Sequence, residues 1–98
     1  MSETSRVPGR QAVTDAVKRL VVRESRLSIG YDRIADDEPL NGSLLRITSM
    51  GLLGMLIKLE DELDVTLPDD IFVGKVMYKV SDLVDVISEA TTQGEVAR

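Results

Sequence analysis

The chain has no cysteine and no histidine among its 98 residues, no tryptophan, one phenylalanine and two tyrosines. Without cysteine there is no disulfide staple, no thiolate nucleophile and no thiolate metal site. Without histidine the usual proton shuttle and the commonest metal ligand are gone. Carboxylates and lysines remain, but no constellation of them has catalytic spacing, and an enzymatic role is not expected. The acid clusters Asp36-Asp37-Glu38 and Glu60-Asp61-Glu62 lack the spacing of a calcium loop, so no metal site is expected either. Apolar runs are too short to span a membrane, and Met1-Ser2-Glu3-Thr4-Ser5 has no apolar signal region, so a cytoplasmic protein with no membrane partner is expected. The scarcity of aromatic residues leaves Leu, Ile, Val and Met to build the core.

Basic charge is scarce where acidic charge is dense. The net charge is −5, and residues 48–70 hold six acids against one lysine, whereas residues 1–30 hold six bases against three acids. Nucleic acid, which binds clustered Lys and Arg, is therefore not expected as a partner. Basic surfaces on other proteins are. An acidic surface kept only for solubility would look the same.

What is present has helical period. Residues 1–8 read as a flexible tail closed by Pro8-Gly9, residues 9–90 as one domain, and residues 91–98 as a second flexible tail. From Gln11 to about Arg26, Val13, Val17, Leu20 and Val21 recur at spacings of three and four and predict a first helix. Residues 27–47 have no sustained period and predict a loop, pinned to the core by Leu27, Ile29, Ile34, Leu40, Leu44 and Ile47. A second helix is predicted from Ser49 to Leu63, with Leu52, Met55, Leu56, Leu59 and Leu63 as its core stripe. Pro68, with Asp69 and Asp70, suits the start of a short helix holding Ile71, Phe72 and Val73 before Gly74. Ser81 is the expected N-cap of a last helix carrying Leu83, Val84 and Ile87 inward, and Phe72, Met77 and Tyr78 are read as core or loop anchors. The expectation is an all-α fold of three main helices and one short one.

Thr48-Ser49-Met50 opens the second helix, and Leu67-Pro68 follows Ser49 nineteen residues later. That serine, the acidic end of the helix and the Leu-Pro spacing resemble the acyl carrier protein family over roughly residues 10 to 90. The resemblance implies a four-helix carrier bundle with a long loop between helices 1 and 2, in a discrete, stand-alone monomer. It implies a 4′-phosphopantetheine arm, taken from coenzyme A, on Ser49. The function implied is holding acyl or aminoacyl groups as thioesters for fatty-acid, polyketide or related biosynthesis. The implied partners are a phosphopantetheinyl transferase and the acyl-loading, synthase and transferase enzymes, with basic docking surfaces. Ser43, in Leu40-Asn41-Gly42-Ser43-Leu44, is a competing serine, but it stands six residues too far from Pro68.

Two positions depart from the family pattern. Thr48 stands where carriers usually have aspartate, and Gly54 where they often have glutamate. Met50, Leu53, Gly54 and Ile57 form a second apolar line on the helix, extended by Glu60 and Asp61. This line is either a recognition face for partner enzymes or a wide core face. The alternative function is a carrier-like interaction module in which Ser49 is only a helix cap.

Overall fold

A computed structural model describes residues 9–68 and 70–96, with the side chains of 92–96 excepted. The expected tail over 1–8 and the helix-start residue Asp69 lie outside the described residues. Three α-helices make the frame: α1 over Arg10–Glu24, α2 over Ser49–Leu63 and α3 over Val80–Val96. Both α2 and α3 pack on α1. Among the described residues there is no strand, only isolated bridges between Pro39 and Lys79 and between Asn41 and Arg46.

The helical periods account for the core. Val13, Ala16, Val17, Leu20 and Val21 of α1 meet Met55, Leu56 and Leu59 of α2 and Leu83, Val84 and Ile87 of α3, all of them buried. Leu52 and Leu63 of the expected stripe are half-buried at its edges. α1 ends two residues earlier than the period suggests, because Arg26 adopts a left-handed φ of 58°. The Leu27 N–H then returns to the Val22 carbonyl at 3.0 Å and closes the helix end. Asp64 does the same for α2, with φ 56° and the Val65 N–H on the Glu60 carbonyl at 3.1 Å.

The long loop is fixed by backbone as well as by side chains. Ile34, Leu40, Leu45 and Ile47 are buried, Leu27 and Leu44 are half-buried, and Ile29 is exposed rather than inserted. A single 3-10 turn over Tyr31–Arg33, not expected from the sequence, sits within it. The Leu40 N–H donates to the Tyr78 carbonyl at 2.8 Å, and the Val80 and Ser81 N–H groups donate to the carbonyls of Glu38 and Asp36. A loop this long stays ordered because its polar backbone is tied to the start of α3.

Two expectations are corrected. Residues 70–74 form successive turns, with the Val73 N–H on the Asp70 carbonyl and the Lys75 N–H on the Phe72 carbonyl, rather than a short α-helix. Gly74, at φ 76°, ends any helical course there, and so short a segment does not offset the cost of helix nucleation. Ser81 lies inside α3, whose start is instead capped by Asp82: its carboxylate accepts from the Tyr78 and Lys79 N–H groups at 2.8 and 3.2 Å. The backbone of α3 is helical to Val96, and residues 97–98 of the expected second tail lie outside the described residues.

Candidate functional site at the start of α2

Ser49 is the first residue of α2 and is exposed. The helix begins there because Thr48 caps it. Thr48 is extended, at φ −90° and ψ 169°, and its Oγ1 accepts from the Gly51 N–H at 3.0 Å. Capping therefore belongs to Thr48, and among the described residues the Ser49 hydroxyl makes no hydrogen bond. The N–H groups of Ser49 and Met50 have no acceptor within the helix, as in any first turn. The competing serine, Ser43, sits in a bend closed by the Gly42 N–H on the Leu45 carbonyl and does not open a helix.

Below Ser49 the helix divides into two sides. Gly51, Met55, Leu56 and Leu59 are buried, while Met50, Leu53 and Ile57 are 80%, 55% and 68% exposed. A Cβ built on Gly54 would meet nothing within 4 Å, so the surface between these side chains is open. The second apolar line is thus a surface strip and not a wide core face. At about 1.5 Å per residue it runs roughly 18 Å from Ser49 to Asp61.

Its acidic end is not uniform. Asp61 is exposed, but Glu60 is half-buried and its Oε2 accepts from the Leu67 N–H at 2.7 Å. Glu62 pairs with Arg19 of α1, whose guanidinium also lies 5.4 Å from the Tyr31 ring centre. The Glu62 hydrogen bond, foremost, raises the Arg19 pKa. Of the two acids expected on the recognition face, Asp61 has no partner among the described residues and Glu60 holds the fold.

Ser25 Oγ accepts from the Arg46 N–H at 2.9 Å, which places the segment leading to Ser49 against the end of α1. The backbone of Arg46 thereby meets the segment Arg23-Glu24-Ser25-Arg26, whose charged side chains, like that of Arg46, are exposed. Periodicity could not show this grouping, because it joins residues 20 or more apart through a loop.

Such a site fits a phosphate-bearing arm. It offers an exposed primary hydroxyl, unpaired first-turn N–H groups and the positive end of a helix dipole. Among the described residues no group of three or more acids could hold a metal ion, and no helix is long and apolar enough to cross a membrane. A separate cleft of about 580 Å³ opens toward the other end of α2, lined mainly by Leu67, Pro68, Ile71, Val86 and Ala90. Val73 within the turns and Val76 and Tyr78 beyond them are exposed, so Tyr78 anchors the loop by its carbonyl and not its ring. No protein-family model matches the chain, and no curated protein or solved structure is significantly similar to it.

Proposed function

We propose that this protein is an acyl carrier: it bears a 4′-phosphopantetheine arm on Ser49 and presents acyl or aminoacyl groups to biosynthetic enzymes. The observation that carries the reading is the division of labour at the start of α2. Thr48 Oγ1 holds the cap bond, leaving the neighbouring Ser49 hydroxyl exposed at the helix terminus.

The chain's own residues would act by holding and presenting. Ser49 Oγ is the attachment point, and the Ser49 and Met50 N–H groups face the phosphate it would carry. An anion at such a terminus gains about 0.3–1 kcal/mol. The arm, when bound, supplies the thiol that the chain lacks. Met50, Leu53, Gly54 and Ile57 form an apolar landing strip beside the arm, and Asp61 adds an acid for a basic partner surface. In this reading the turns over residues 70–74 hold the place of the short third helix of the four-helix carrier bundle. The protein acts as a monomeric partner of a phosphopantetheinyl transferase and of acyl-handling enzymes, and is not itself an enzyme.

The uncharged Thr48 favours a second reading, an interaction module with Ser49 unmodified. That reading gave Ser49 the cap as its reason to exist, and Thr48 already fills that role. The test is incubation with coenzyme A, magnesium and a broad-specificity phosphopantetheinyl transferase, followed by intact-mass measurement, with Ser49→Ala in parallel.

A further inference from the structure

Gly51 is buried in the first turn of α2, although Ser49 and Met50 beside it are exposed. A side chain from another helix lies over it. A Cβ placed on Gly51 would stand 2.9 Å from Glu24 Oε2, 3.3 Å from Glu24 Cδ and 3.3 Å from Thr48 Oγ1. Glycine at this position leaves the space into which the carboxylate of the last α1 residue is set. The first turn of α2 has no acid of its own, and position 48 is uncharged.

We propose that Glu24 is the carboxylate of the Ser49 site: a positioning residue, delivered across space from the end of α1, that governs how fast the arm is attached. This rests on the carrier reading. In the attachment step the Ser49 Oγ–P bond forms as the pyrophosphate P–O bond of coenzyme A breaks. Adenosine 3′,5′-bisphosphate leaves with the electron pair of that bond, and the serine proton passes to a base on the transferase. The pyrophosphate is escorted by magnesium, and the positive end of the α2 dipole repels that cation. The Glu24 carboxylate over Gly51, two residues along the helix from Ser49, offsets that repulsion. The carboxylate can act from Glu24 because Gly51 has no Cβ to hold it away.

Relocating the charge tests this. Initial rates of arm attachment, read as intact mass with coenzyme A, magnesium and a broad-specificity transferase, are compared for wild type, Glu24→Gln, Thr48→Asp and the double variant. Thermal unfolding of each is recorded alongside. Glu24→Gln is expected to slow attachment on the order of tenfold, within the reach of one charge at a helix terminus. Thr48→Asp is expected to restore the double variant to near the wild-type rate. An undiminished rate in Glu24→Gln overturns the proposal and leaves the carrier reading standing. So does a loss that Thr48→Asp fails to restore, since Glu24 would then act only on the fold. If no protein, wild type included, takes the arm, the carrier reading falls and this proposal falls with it.

Discussion

The Glu60 carboxylate accepts a hydrogen bond from the Leu67 backbone N–H at 2.7 Å, across the turn that ends α2. With the Val65 N–H on the Glu60 carbonyl, this residue fastens the chain reversal that leads to Pro68. The acid at position 60 and the Leu-Pro that follows are thus one structural unit. Glu60→Ala should cost roughly 1–2 kcal/mol, the range of a partly exposed charge-assisted hydrogen bond. Asp61→Ala, one residue on and exposed, should stay within about 0.5 kcal/mol. Urea denaturation of the two variants measures the difference.

Capping and attachment separate in the same way. Thr48→Ala removes the acceptor of the Gly51 N–H and should destabilise by about 1 kcal/mol. Ser49→Ala removes an exposed hydroxyl without a partner and should change stability by less than about 0.5 kcal/mol. Equal losses from both would mean that the serine shares the cap.

The two sides of α2 should respond oppositely to truncation and to charge. Leu59 is fully buried, and Leu59→Ala should cost about 2–5 kcal/mol. Ile57 is 68% exposed, and Ile57→Lys should leave stability within about 0.5 kcal/mol while raising the transferase KM for this protein. Denaturation curves and attachment kinetics on the same samples check both halves.

Acid should unfold the protein partly through the cap of α3 and one ion pair. The Tyr78 N–H, above all, lowers the Asp82 pKa from 3.8, and the hydrogen bond from Lys18 lowers that of Asp36. A lowered folded-state pKa means stability that is complete above the ordinary aspartate value and lost as pH falls through the lowered one. Unfolding midpoints should therefore fall below about pH 4. Asp82→Asn combined with Asp36→Asn should flatten that acid limb while lowering the midpoint at pH 7. An unchanged acid limb would place the acid sensitivity elsewhere.

Elements with a long apolar period were legible from the sequence. The limits of α2, Ser49 and Leu63, follow from a five-member stripe bounded by a capping residue and a polar end. The loop positions were less legible, because a pinned loop has no period: Leu45 rather than Ile29 enters the core. The turns over 70–74 carry the same apolar residues a short helix would, and Gly74 decides between them through its backbone. At the candidate site, spacing draws the line of Met50, Leu53, Gly54 and Ile57 but not its exposure, and Ser49 is marked out by a family resemblance. The place of Glu24 is not legible at all, since its relation to Gly51 arises only when α1 packs against the start of α2. A glycine in a helix's first turn was the one trace of it in the sequence.

The central claim, that Ser49 carries a phosphopantetheine arm, is tested most directly by intact mass after incubation with coenzyme A, magnesium and a broad-specificity transferase. The account predicts the mass gain of one arm on the wild-type chain and none on Ser49→Ala. No gain on a folded wild-type sample across several transferases, or an equal gain on Ser49→Ala, would contradict it.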